Sequence, residues 1–145
     1  MERKTLGIAQ VLEMTSKQKT KQEKIAFLQA NFSATLADIL ILGLHPSVKW
    51  LLPEGSPPYN KNDMDNQEFV MFRQVKKLYM FLDGGGNHLK QIQREKIFVD
   101  VLQSLAPADA ELLISIKDKK LPYGLTADLI REALPQLNLP EPAQA

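Results

Sequence analysis

Residues Ser104–Leu137, SLAPADAELLISIKDKKLPYGLTADLIREALPQL, read as helix, basic loop, helix. Pro107 suits the first turn of a helix, where its missing N–H costs nothing, and Asp109 and Glu111 favour the positive N-terminal end. Leu112, Leu113 and Ile116 supply an apolar stripe, and Lys117, Lys119 and Lys120 crowd the C-terminal end around Asp118. After Pro122 the run Tyr123-Gly124-Leu125-Thr126 turns the chain, and Thr126 is placed to cap a helix through Leu129, Ile130, Ala133 and Leu134. Three lysines, a glycine open to close approach and a new helix N-terminus form a candidate phosphate site. On these residues alone the structural alternative is the stronger. The helix dipole favours lysines at a C-terminus, and Pro-x-Gly is common turn chemistry.

Helical spacing extends through the chain. Leu6, Val11 and Leu12 predict a first short helix, and Thr20 with Glu23 reads as a capping box for a helix with Ile25, Phe27 and Leu28 that ends at Asn31. Ser33 caps the next, which Leu36, Ile39, Leu40, Leu42 and Gly43 make mostly buried. Pro46 interrupts it, and residues 47–52 are expected to form one more turn or a short helix. Residues 53–66, PEGSPPYNKNDMDN, are a long loop expected to be mobile. From Asn66, the positions Phe69, Phe72, Val75, Leu78, Tyr79 and Leu82 predict one amphipathic helix ending at Asp83-Gly84-Gly85-Gly86. Asn87 opens another through Leu89, Ile92, Ile97, Val101 and Leu102, and residues 140–145 are expected to be a disordered tail. No strand signal competes and no repeat at a fixed period is present. The expectation is an all-α fold, a single compact domain over residues 1–139 with about seven or eight helices.

Composition narrows the function classes. With 145 residues, 44% of them hydrophobic and 24% charged, the chain suits one globular domain with a substantial core. No apolar run approaches the ~20 residues of a membrane span. The longest, 36–44, is broken by Asp38, and the first residues lead into no signal core. The absence of cysteine excludes disulfides and thiol chemistry and fits an intracellular, cytoplasmic protein. A net charge of +1 argues against a strongly basic nucleic-acid binder. The lysines and arginines nevertheless fall in groups: Arg3 to Lys24, Arg73 to Lys77, Lys90 to Lys96 and Lys117 to Lys120. Acidic residues gather around Asp63, Asp65 and Glu68. That grouping permits a polarised surface, while each lysine taken singly is an ordinary solvated side chain.

Gly84-Gly85-Gly86-Asn87 before a helix is a second candidate phosphate cradle, since successive glycines expose backbone N–H groups beside a positive helix end. No Gly-Lys-Ser/Thr is present, so nucleotide hydrolysis has no support, and a triple glycine by itself is more often a flexible turn. His45 and His88 lack metal-ligand spacing and a serine or carboxylate partner at a recognisable interval. Trp50 beside Lys49 suggests stacking on a sugar or base, but the better reading of the chain's one tryptophan is core. No metal, cofactor, small-molecule substrate or catalytic residue is expected.

In its ordered motifs the chain resembles the α-helical N-terminal DNA-binding domain of ATP-dependent DNA ligases, especially those of T-even-type phages. The residues carrying the resemblance are Leu105-Ala106-Pro107-Ala108-Asp109, Glu111-Leu112-Leu113, Lys117-Asp118 to Gly124 and Leu134-Pro135-Gln136-Leu137. Upstream, Lys24-Ile25-Ala26-Phe27-Leu28 to Asn31, Leu44-His45-Pro46-Ser47-Val48-Lys49-Trp50 and Gly86-Asn87 fall in the same order as their ligase counterparts. Together they run from about Thr5 to Leu137, and order and spacing carry the specificity. The ligase nucleophile is missing: Asp83-Gly84 is the only Asp-Gly, and Phe81 stands where the lysine of Lys-x-Asp-Gly belongs. The resemblance therefore implies a free-standing small phage protein related to the accessory domain, without adenylation chemistry.

It also implies sequence-independent binding of double-stranded DNA, with helix termini and loops gripping the phosphate backbone across the minor groove. Carried over by position, the contacts are Gly86, Asn87 and Lys90 at one helix start, and Lys117, Lys119, Lys120, Tyr123, Gly124 and Thr126 around the last loop, with Lys49 beside them. Lys120-Leu121-Pro122-Tyr123 departs from the arginine and glycines common in the ligase loop. The alternative is a protein-interaction module or small virion-associated protein that contacts a phage or host protein through the 53–66 loop, the Phe69/Phe72/Tyr79 segment and the proline-rich tail. An exposed aromatic patch on 69–82 favours that alternative; a basic stripe joining Lys90 to Lys120 favours DNA.

Overall fold

The computed structural model describes residues 6–64 and 67–139. Helix α1 runs Ile8–Ser16, α2 Lys21–Ala30, α3 Ala34–Leu44, α4 Val70–Gln74, α5 Gln91–Ser104, α6 Pro107–Lys117 and α7 Ala127–Ala133. Two 3-10 helices, Val75–Phe81 and Pro135–Leu137, complete an all-α fold without a named strand among the described residues. Thr20, Ser33 and Thr126 each accept the backbone N–H three residues on, so three N-termini are fixed by the side chains that local chemistry nominates. Residues 140–145 and Asn66 lie outside the described residues.

Helix α6 is the hub, touching α1, α3 and α5, while α2 packs on α1 and α7. Its buried positions Asp109, Leu112, Leu113, Ile116 and Lys117 follow the i, i+3, i+4, i+7, i+8 repeat of one helix face. The stripe thus ends in a charge at both extremes. Phe81 meets Phe98 edge-on, with ring centroids 5.2 Å apart and planes at 79°, in the heart of the core.

Three expectations fail, one of them in part. The segment expected to be one helix to Leu82 is instead α4 followed by the 3-10 helix. A three-residue turn stacks Val75, Leu78 and Phe81 along one edge, and its longer rise carries Phe81 out to Phe98. Residues 47–52 share a turn at Pro46–Ser47 but hold no helix beyond it: Trp50 pairs with Leu82 in an isolated antiparallel bridge, and Leu51 N–H donates to the Phe81 carbonyl at 2.7 Å. Helix α5 begins at Gln91, not Asn87, which turns Ile92 outward, 81% exposed, and buries Arg94, Phe98, Val101 and Leu102.

The 53–66 loop, expected to be mobile, is fastened to the helices where it is described. Lys117 Nζ donates to the carbonyls of Pro53 (2.7 Å) and Gly55 (2.9 Å), Gly55 N–H donates to Asp118, Asn60 N–H to Gln103, and Asn62 to the Ser104 carbonyl. It is a strap across α5 and α6.

Candidate nucleic-acid interface

Helix α6 ends in a Schellman motif. Lys120 N–H donates to the Ser115 carbonyl and Lys119 N–H to that of Ile116, both at 2.9 Å, with Lys119 left-handed at φ 62°. Glycine normally occupies that position, because a Cβ there costs about 1 kcal/mol. Lysine stands there because of its amine, which reaches the carbonyls of Leu42 (3.2 Å), His45 (2.6 Å) and Val48 (3.2 Å) and so caps α3. Burial among these groups lowers the Lys119 pKa. Lys117 goes further inside: its side chain is 1% exposed and its amine meets Asp118 at 2.6 Å besides the two strap carbonyls. Of the three lysines in the loop, Lys117 is inside, while Lys119 and Lys120 are exposed. Lys119 directs its amine at three carbonyls, and the amine of Lys120 makes no ion pair among the described residues.

Replacing Lys119 separates its two roles. Lys119→Ala is expected to destabilise the fold by about 1 kcal/mol: the Val48 carbonyl loses its donor, while Leu42 keeps Trp50 Nε1 and His45 keeps the Val48 N–H. Lys119→Gly, which loses the same amine but relieves the backbone, is expected to recover about 1 kcal/mol of that. Urea denaturation of both variants measures the difference, and equal stability overturns the account.

The glycine loop is not open to an anion either. Gly84 N–H donates to Asn87 Oδ1 (2.5 Å), while those of Gly85 (3.2 Å) and Gly86 (2.9 Å) both donate to the Leu82 carbonyl. Asn87 Nδ2 is turned back to Asp83 at 2.8 Å. Gly86 is buried, and its carbonyl, with that of Leu89, accepts from the buried Arg94 guanidinium at 2.8 and 3.0 Å. Backbone donors that already have partners cannot cradle a phosphate. At this end Lys90 is exposed and solvated, and Asn87 is exposed with its amide turned back on the loop.

Tyr123 also changes character. Its backbone is left-handed at φ 61°, and burial raises its pKa, with the carboxylates of Glu13, Glu111 and Asp109 adding to the shift. A hydroxyl in an acidic field is poorly placed beside phosphate. Gly124 and Thr126, by contrast, border a depression of about 230 Å³ whose other wall carries Lys21 and Lys24 of α2. Lys21 shares an exposed ion pair with Glu132 at 2.8 Å, while the amine of Lys24 makes no ion pair among the described residues. The sequence puts both lysines in a basic N-terminal group, with nothing to bring them, a hundred residues away, to the last turn. Lys49 is exposed, on the rim of a shallow depression shared with Lys119 and Asp118.

A family model described as "Family of unknown function (DUF6433)" matches residues 11–123. The chain belongs to that family. No curated protein matches it. The DUF6433 segment runs from within α1 to Tyr123, so it holds Lys21, Lys24, the strap and the Schellman turn, while Gly124 and Thr126 lie just beyond it.

Two side-chain arrangements escaped the sequence. Ser47 Oγ lies 2.7 Å from His45 Nδ1, and Ser47 N–H donates to the same nitrogen at 3.1 Å, so a serine partner for His45 does exist. Both contacts close a surface turn around Pro46, and Nδ1 there serves as the acceptor of the backbone N–H. Asp109, expected as a first-turn acid at the helix dipole, is 1% exposed and accepts the Ala9 N–H at 2.9 Å, tying α6 to the first turn of α1. Its pKa rises to about 6, chiefly through burial, against the Ala9 hydrogen bond and with Glu68 adding to the rise. Among the described residues no group of three or more His, Asp or Glu is arranged to hold a metal ion, and no helix is long and apolar enough to cross a membrane.

Proposed function

We propose that the protein is a non-catalytic, sequence-independent binder of duplex DNA that contacts the phosphate backbone. The observation that supports this most is the convergence of Lys21 and Lys24 with Gly124 and Thr126 around one depression. Lys24, beside a Lys21 shared with Glu132, faces a stretch of backbone that a glycine leaves bare, with Asp128 the one acid in the lining. That suits an anionic strand read by charge rather than by base edges. Lys120, Lys90 and Lys49 supply further solvated amines. In this reading the protein works in the cytoplasm of an infected bacterial host or within a virion.

Fluorescence anisotropy with intact, nicked and single-stranded DNA at low and near-physiological salt tests it. Salt-sensitive duplex binding is expected, and Lys24→Ala with Lys120→Ala is expected to reduce the slope of log K against log salt by ~0.9 for each phosphate no longer neutralised. Lys119→Ala is expected to leave the slope unchanged, because its amine is held by carbonyls. Absence of duplex binding at low salt overturns the proposal. The reading to take up then is a protein-interaction module for a phage or host protein, favoured by Phe69 and Tyr79, which are 47% and 57% exposed. Tyr79 also borders a hollow between α3 and the 3-10 helix.

A further inference from the structure

The strap encloses a hollow of about 210 Å³ over α5 and α6, floored by Phe98 and the Lys117 stem and walled by Leu52, Pro57, Glu54 and Glu95. It is held open by construction. Gly55 turns the strap at φ 93°, Pro53, Pro57 and Pro58 stiffen it, and Lys117 and Asp118 clamp it at fixed height through the Pro53 and Gly55 backbone. Its side-chain charge is mostly negative, and in the strap the backbone N–H groups of Glu54 and Ser56 have no acceptor among the described residues. Three prolines offer no N–H, Gly55 N–H is given to Asp118, and Ser56 Oγ donates to the Pro57 carbonyl. The one cation in the lining, Lys117, already directs its amine to two carbonyls and a carboxylate. Glu54 and Glu95 make no ion pair among the described residues. Lys117 against Glu54 and Glu95 leaves the lining with a formal charge of −1, and the Lys117 charge is itself paired with Asp118.

A cavity that pairs apolar lining residues with two carboxylates free of ion pairs, and whose one cation is already engaged, selects a ligand that brings apolar surface and positive charge. We propose that the hollow binds an amphipathic cation: an ammonium or guanidinium on a short aliphatic stem, with the stem on Phe98 and Pro57 and the head between Glu54 and Glu95. A guanidinium suits paired carboxylates best, since its planar fork donates to both. The same chemistry comes from a free alkyl amine or from an arginine side chain of a partner. The site shares no residue with the Lys21/Lys24 depression, so it stands apart from the DNA proposal.

The test is amide NMR of the full chain titrated with n-butylguanidinium, n-butylammonium and, as the neutral control, n-butanol. Saturable shifts centred on Gly55 and Ser56 are expected with the cations and not with butanol. The double variant Glu54→Gln/Glu95→Gln, which keeps shape and removes charge, is expected to weaken binding roughly tenfold or more with unchanged circular dichroism. Nα-acetyl-arginine amide separates the sources: binding equal to n-butylguanidinium supports a protein side chain as the ligand, and exclusion alongside n-butylguanidinium binding supports a soluble amine. Absence of saturable shifts, an equal response to butanol, or undiminished affinity in the double variant overturns the proposal.

Discussion

Gly86→Ala is expected to destabilise the protein by about 3 kcal/mol or more, among the largest effects of any single methyl in this chain. An added Cβ stands 1.8 Å from the Met80 carbonyl oxygen and 2.5 Å from its carbon, both backbone atoms that no rotamer change can move aside. The loop has little freedom to retreat. Gly86 N–H is held by the Leu82 carbonyl, its own carbonyl takes the Leu89 N–H, and the buried Arg94 guanidinium grips the same oxygen. Gly84, two residues earlier, is the control. It is left-handed at φ 96° with open space around a Cβ, so Gly84→Ala carries only the strain of that conformation, about 1 kcal/mol. Urea denaturation that places Gly86→Ala within about 1 kcal/mol of the parent, or level with Gly84→Ala, refutes the steric account.

The triple glycine shows where sequence stops informing. A run of glycines announces close approach, yet the same residues serve equally to admit a phosphate or a neighbouring strand of backbone. Here Gly85 and Gly86 admit the Tyr79–Met80 backbone, and that choice is made by long-range packing. Local chemistry was legible: Thr20, Ser33, Thr126 and Pro107 mark helix starts within a residue of where they occur. The lysines of 117–120 were only partly so. Lys117 continues the spacing of Leu113 and Ile116, and that period was the available sign that its stem goes inward. Lys119 gave none, because its role depends on α3 ending beside it. The meeting of Lys21 and Lys24 with Gly124 likewise depends on α2 lying on α7, a contact no spacing in the chain expresses. A 3-10 helix in place of an amphipathic helix is a further case, since both periods place Val75, Leu78 and Phe81 on one side.

Asp109 sits at the other end of the stripe that Lys117 closes, and it is the weaker of the two buried charges. Oδ1 has the Ala9 N–H, but Oδ2 is buried without a partner among the described residues. Glu68 adds repulsion: its Cβ and Cγ and Asp109 Oδ2 all lie within about 3.3 Å of the place where a Gly7 side chain would stand. The folded-state pKa of about 6 exceeds the ordinary 3.8, so the native protein holds this proton more tightly than the unfolded chain does. The stability tied to Asp109 is therefore complete below about 3.8, falls as pH rises toward 6, and is absent at neutral pH. Across that gap the cost is at most ~3 kcal/mol. Asp109→Asn keeps an acceptor for Ala9 N–H and offers donors on the Glu68 side in place of a buried anion. It is expected to raise stability at pH 7 by about 1–3 kcal/mol and to be near neutral at pH 4. Other carboxylates shape the total pH profile, so the difference between variant and parent across pH 4 to 7 is the quantity to measure. A difference that does not grow with pH, or an Asn variant less stable than the parent at pH 7, shows that the carboxylate is better solvated than its burial implies.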